Sequence, residues 1–312
     1  MTVAAVRSDA KDWLLADIDG ETATFALATP GDRPSIHNMR RYPTRDFPTA
    51  TDAFIAYARD AHIHLSPRDC ALVVSGPLHG DTIRVARCPW VLTLQGLGHI
   101  LGRPPLAVND SAVKSWANLA QDEGEHRLIG GAGSTDFNAP GRWATINFEN
   151  GLGASLLVRR PGERLSLFDG EIGHTGFSPR GESETALHAA LQKLKRGATW
   201  ELALLAQPGD PIWIAAGLSP DRRTADRMRA TMLGSFAGGV VLALGGWNGV
   251  FLYGIPRSLL ANGDCLAAFN AAFEDRTAYR SEVRRTPRWT VAMDRVNLVG
   301  AARMLARSIG KT

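Results

Sequence analysis

Two stretches of this chain, about 130 residues apart, share one design, and that repetition constrains the fold more than any other feature of the sequence. Residues 13–18 (WLLADI) read as a strand, Asp19-Gly20-Glu21 as a tight turn, and residues 22–28 as the returning strand. An Asp-Gly pair tolerates the positive backbone dihedrals that a short strand-to-strand connection demands. The second copy rises over 143–148, turns through Glu149-Asn150-Gly151-Leu152-Gly153 and returns over 154–159. Each hairpin opens a run of further elements. After the first come a helix over 49–61, with Phe54, Ile55 and Ala58 on one face, a buried strand over 70–75, and a helix starting near Ser111. After the second come helices over 182–195, 221–244 and 264–272, a strand over 250–253, and a closing helix over 296–308. Strands alternating with helices predict an α/β chain, and the doubled hairpin predicts two related halves.

Size agrees with two halves, since 312 residues exceed what one core usually serves. The charge pattern removes one class of partner. A net charge of +4 is carried partly by scattered pairs such as Arg40-Arg41, Arg222-Arg223 and Arg284-Arg285. A nucleic-acid surface needs a concentrated basic stripe with aromatic residues beside it, so no nucleic-acid partner is expected. Cys70, Cys88 and Cys265 lie far apart without metal-ligand spacing and read as reduced, half-buried residues. The start, MTVAAVRSDAKDW, lacks the apolar run of a secretory signal. The apolar stretch over 236–253 is interrupted by Gly238, Gly239, Gly245, Gly246, Asn248 and Gly249, and reads as helix, turn and strand, not a membrane span. The expected setting is the cytoplasm, with no membrane contact.

Two glycine-containing hairpins also suggest a chemistry. Turn amides can point at anionic oxygens from two sides, and a cleft between the halves can close over a substrate. That is a kinase-like arrangement. The motifs sharpen it. DIDGETATFAL (17–27) resembles DxGGTNxRxAL; GPLHGD (76–81) followed by CPW (88–90) resembles a segment leading to a sugar site. VNDS (108–111) resembles a segment containing NDF, ENGLGASLL (149–157) resembles GTGLGxxxL, and DGEIGH (169–174) resembles GEGGH. FAGGVVLALGGWNGVFLYG (236–254) and FEDR (273–276) resemble an adenosine-side helix and strand and an FED motif. In this order and spacing the motifs resemble those of the bacterial glucokinase family, over nearly the whole chain. The Cys-rich zinc motif of the related repressor-type sugar kinases is absent.

The resemblance implies a two-domain actin-like ATPase (ribonuclease H-like) α/β fold, with mixed sheets flanked by helices. Its small domain would comprise 1–109 plus 296–312, and its large domain 110–295. It implies transfer of the ATP γ-phosphate to the 6-hydroxyl of glucose or a close hexose, with ATP and Mg²⁺ as cofactors, a small-molecule hexose as partner, and a homodimer as one open arrangement. The sugar site would take Asn109, Asp110, Glu171, His174 and Glu201, which lies 27 residues after His174. Carboxylates and an amide set in an arc discriminate strongly between polyols. Asp110 would be the catalytic base, Asn109 and Glu201 would orient the ring, and Glu171 and His174 would hold its far hydroxyls. Taken alone, Asn109-Asp110 before Ser111 also reads as a helix cap. Asp17, Gly20, Thr22, Asn150, Gly151 and Gly153 would bind the nucleotide, Asp17 facing Mg²⁺ indirectly.

The phosphate loops depart from the family pattern. Asp19, Glu21 and Thr22 stand where Gly, Thr and Asn are expected, which leaves Asp17, Gly20 and Ala23 in register. A carboxylate about 4 Å from a phosphate oxygen costs on the order of 4 kcal/mol at an effective dielectric of 20. Glu149 and Asn150 replace Gly and Thr in the second loop, and Ile255 replaces a Gly, where it would narrow the nucleotide pocket. Two functions therefore stay open: a hexose kinase, or a catalytically weak or inactive sugar-binding or regulatory protein on the same fold. A polyphosphate-dependent kinase ranks third, because an acidic loop opposes longer polyanions.

Overall fold

A computed structural model describes residues 12–76, 78, 80–85, 87–149 and 151–309, with backbone only at 257 and 258. The chain divides into two compact units: one running up to Ala120 and resuming at Asp294, the other Gln121–Met293.

In the first unit the expected hairpin is β1 (Trp13–Ile18) and β2 (Thr22–Thr29), antiparallel, with Ala16 opposite Phe25. β3 (Ser35–Pro43) continues it as an edge strand, and β4 (Cys70–Val74) pairs parallel to β1. A small ribbon of β5 (Thr82–Arg84) and β6 (Val91–Thr93) precedes β7 (Leu106–Asn109), which pairs parallel to β4. The sheet order is β3-β2-β1-β4-β7. Strand alternation divides β1 between two faces. Leu14, Ala16 and Ile18 enter one core with Phe25, Phe54 and Tyr57. Phe54 and Tyr57 come from the Ala50–Ala61 helix, which starts in a capping box between Thr49 and Asp52. Their rings lie 4.8 and 5.2 Å from that of Phe25. Ile55, expected on the same face, is 53% exposed; Tyr57 takes its place in the core. Asp17 belongs to the opposite register of β1, and the C-terminal helix Val296–Ile309 packs on β1, on β4 and against the Asp110–Ala117 helix.

The second unit repeats the plan. β8 (Glu125–Gly130) is an edge strand; β9 (Gly141–Asn147) and β10 (Gly153–Arg159) form the second hairpin, extended by β11 (Ser166–Gly170). β12 (Gly249–Tyr253) pairs parallel to β9, and β13 (Arg288–Ala292) parallel to β12. The order β11-β10-β9-β12-β13-β8 reproduces the first sheet's pattern of two antiparallel and two parallel pairings, and adds β8. The stretch over 236–253 is the end of the Arg222–Leu244 helix, a turn, and β12, as its glycines predict. No described helix is long and apolar enough to cross a membrane.

The structure goes beyond the sequence reading at one point and differs from it at another. Strands β3 and β11 are not legible in the sequence, because SIHNMRRYP and SLFDG are mostly exposed edge strands without a buried alternation. The Asp110–Ala117 helix, assigned above to the large domain, lies in the first unit because it packs against the C-terminal helix. That packing depends on Gly300, where a Cβ would lie 2.3 Å from the Val113 carbonyl oxygen. Gly300→Ala should therefore cost about 2 kcal/mol of stability by forcing the two helices apart, read as a lowered urea midpoint.

Candidate active site

In the first unit the polar groups gather where β1, β4 and β7 end. Asn109 closes β7 and caps the next helix, its Oδ1 accepting from the Ser111 amide at 2.8 Å. The helix-cap reading of Asn109 holds, and its Nδ2 also donates to the Gly76 carbonyl at 3.0 Å, tying β7 to the loop after β4. Asp110 is the first residue of that helix, where a carboxylate meets the positive end of the dipole. Its Oδ2 accepts from Ser75 Oγ at 2.6 Å. Lys114, one turn on and 1% exposed, donates through Nζ to the Asp110 carbonyl and to Asn297 Oδ1, both at 3.1 Å. Asn297 Nδ2 in turn reaches both Asp17 oxygens, at 3.2 and 3.3 Å. Asp17 and Asp110 are thus joined through one lysine and one asparagine. Ser75, Lys114 and Asn297 carry no motif, and sequence reasoning missed them. Only the burial of a charged residue on an otherwise apolar helix face would have flagged Lys114.

Burial pushes the Asp17 pKa up to about 6; the Asn297 hydrogen bond and the Lys114 charge oppose this, while Asp19 and Asp110 add to it.

The first hairpin turn is closed differently from the expected phosphate loop. Asp19 Oδ1 accepts from the Glu21 amide at 2.8 Å and the Thr22 amide at 2.7 Å. This Asx turn occupies both amides from within the hairpin. Gly20 is buried and its carbonyl accepts from Thr44 Oγ1 at 3.0 Å, which pins the turn from behind.

In the second unit three of the expected residues meet. Glu171 precedes a short turn ending in His174, and Glu201 lies in the first turn of the Trp200–Leu205 helix, capped by Thr199. His174 Nε2 is 3.8 Å from an oxygen of each carboxylate. Glu201 Oε2 also accepts from the Leu152 amide at 2.9 Å, and a Cβ on Gly151 would lie 2.9 Å from it. At Gly173 a Cβ would fall 1.8 Å from the Leu152 carbonyl oxygen. Glycine at 151 and 173 therefore lets the β9–β10 turn seat against Glu201 and the His174 turn. Gly153 begins β10, and Asn150 lies outside the described residues. Ile255, expected to narrow a nucleotide pocket, packs against this unit's hydrophobic core.

A doubled mixed sheet with this strand order, carrying its polar groups at the strand ends and hairpin turns, is an actin-like ATPase fold of the sugar-kinase type. Solved structures share it: glucokinase from an Antarctic psychrotroph, with a TM-score of 0.79 and 23% identity over 95% of this chain and 99% of that one, and Balamuthia mandrillaris glucokinase in complex with glucose, with 0.75 and 19% over 98% and 96%. The Glucokinase family model matches residues 14–209 and 212–308, and the chain belongs to the glucokinase family. It is 29% identical to the glucokinase of Stenotrophomonas maltophilia over 93% of each chain. It is 27% identical to the bifunctional protein glk of Burkholderia lata over 95% of this chain but 49% of that one. The chain thus spans about half the length of the bifunctional relatives it matches.

The raised Asp17 pKa makes a prediction. A carboxyl whose folded pKa of about 6 exceeds its ordinary 3.8 costs nothing below pH 3.8 and its full penalty above pH 6. The penalty is about 3 kcal/mol. Asp17→Asn, which keeps an acceptor for Asn297, should leave stability at pH 4 nearly unchanged and raise it toward pH 7, as measured by urea unfolding at both pH values.

Proposed function

We propose that this chain is an ATP-dependent hexose kinase that phosphorylates the 6-hydroxyl of glucose or a close hexose. The observation that carries the reading is the setting of Asp110. One carboxylate oxygen is held by Ser75, the backbone is gripped by Lys114, and among the described residues Oδ1 accepts no hydrogen bond. Such a carboxylate is held in a set position, which supports a role as general base. In this reading Asp110 removes the proton from the sugar hydroxyl as that oxygen attacks the γ-phosphorus and ADP departs. Asn109 and Glu201 orient the ring, and Glu171 and His174 hold its far hydroxyls.

The nucleotide side would use Asp17, Gly20, Thr22, Gly151 and Gly153, together with Asn150. No three His, Cys, Asp or Glu residues group as a metal cage among the described residues. Mg²⁺ bound mainly through phosphates and water does not need one. A half-buried carboxylate such as Asp17 fits an indirect role beside such a cation. Mg²⁺ would supply neutralisation of phosphate charge. The cytoplasm, where ATP is plentiful, is the setting this reading expects.

One observation favours the second reading, a weak or inactive sugar-binding protein: Asp19 fills the two turn amides that would hold a phosphate. The readings separate cleanly. The kinase reading expects sugar-dependent ADP release in a coupled assay that falls by at least about 10²-fold in Asp110→Ala. Turnover no higher than that variant's would overturn it, and calorimetry showing glucose binding without ATP·Mg²⁺ binding would support the second. Asp19→Gly frees both amides and removes a charge, so ATP·Mg²⁺ affinity should rise at least about tenfold by calorimetry.

A further inference from the structure

The Trp200–Leu205 helix, which carries Glu201, has six residues, too few to persist by its own backbone hydrogen bonds. Its position depends on what grips its two ends. At the start, Thr199 Oγ1 accepts from the Leu202 amide at 3.3 Å, and the Trp200 amide donates to the carbonyl of Thr175, the residue after His174, at 3.1 Å. The Trp200 ring packs against Phe177 and Phe236, with centroids 5.0 and 5.6 Å away. At the far end the Leu204 carbonyl has no helical partner to take, because the residue four places on is Pro208, which lacks an amide hydrogen. Arg229 fills that place. Its Nε and Nη2 both donate to the Leu204 oxygen, each at 3.3 Å.

Arg229 is 6% exposed and lies on the buried side of the Arg222–Leu244 helix, with Ala225, Ala230, Met232 and Leu233. Its Nη1 is 3.7 Å from Asp226 Oδ1, one turn earlier on the same helix. A charge pair withdrawn from water in this way is seldom more stable than packed hydrocarbon of the same volume. Stability alone therefore gives no reason for a guanidinium here, whereas a planar fork closed on one carbonyl fixes a helix end in direction as well as distance. A cation at that end also complements the helix dipole. From Leu204 back to Glu201 is three residues, about 4.5 Å of helical rise, so a shift of the carbonyl is carried to the carboxylate within one turn. We propose that Arg229 is a positioning residue for hexose binding, acting through the Trp200–Leu205 helix to hold Glu201 against the sugar. The inference rests on the proposed contact between Glu201 and the hexose, which the kinase reading and the sugar-binding reading share.

The test is calorimetric titration of the full chain with glucose, for the parent, Arg229→Met, Arg229→Lys, Glu201→Gln and the double variant Arg229→Met/Glu201→Gln, each first checked for parental circular dichroism. Glu201→Gln should weaken glucose binding at least about tenfold. Arg229→Met should weaken it at least about fivefold in the parent but less than about twofold once residue 201 is glutamine. Arg229→Lys keeps the charge and a single donor, so its affinity should fall between those of the parent and Arg229→Met, at least about twofold below the parent. A residue that served only the stability of the fold would weaken binding by one factor in both backgrounds. Where Arg229→Met does not fold, the same comparison is made with Arg229→Lys, alone and combined with Glu201→Gln. Parental glucose affinity in the folded Arg229 variant, or an equal loss with glutamate and with glutamine at 201, would overturn the proposal and leave the sugar site standing. Undiminished affinity in Glu201→Gln, or no glucose binding by the parent, would overturn the sugar site and this inference with it.

Discussion

A buried ammonium group organises the first unit. Lys114 is 1% exposed, and an ammonium taken that far out of water costs several kcal/mol unless its hydrogen bonds are met. Its donors are met by the Asp110 carbonyl and the Asn297 amide oxygen, and its charge offsets part of the repulsion among Asp17, Asp19 and Asp110. The arrangement requires the chain to bring its C-terminal helix back to β1, which is why the unit is built from both ends of the sequence. It also fixes the first turn of the Asp110–Ala117 helix from inside, so the carboxylate at its start has a set position before any ligand arrives. A carboxylate held in this way needs no further ordering when a ligand arrives, because the cost of orienting it has been met on folding.

The second unit achieves its arrangement by backbone proximity instead of buried charge. Without side chains at 151 and 173, the β9–β10 turn can lie against Glu201 and the His174 turn. The Leu152 amide then serves two ends: it is part of a hairpin turn and it orients a carboxylate. Glu201 and the β9–β10 turn share this hydrogen bond, so ordering one restrains the other.

The acidic first hairpin gains a physical account from the same viewpoint. Asp19 closes its own turn with two short hydrogen bonds, and Thr44 locks the turn from behind. The result is a well-ordered hairpin whose donors are internally satisfied. An ordered loop and an anion-binding loop make opposite demands on the same amides, and here order has the advantage.

What the sequence determined on its own was local. Asp19-Gly20 dictated a hairpin, the Thr49–Asp52 box started a helix, and the glycines at 245, 246 and 249 divided an apolar stretch into helix and strand. Motif order was enough to group Asn109, Asp110, Glu171, His174 and Glu201 as candidates. Edge strands β3 and β11 were not legible, because an exposed strand is stabilised by its neighbour's backbone and leaves little trace in its own side chains. The contact between Asn297 and Asp17, 280 residues apart, was equally invisible. So was the use of the Glu21 and Thr22 amides by Asp19, since a turn signal does not say which acceptor the amides choose. Only tertiary structure decided these matters: burial sets the cost of a charge, and burial depends on which distant segments come to lie against it.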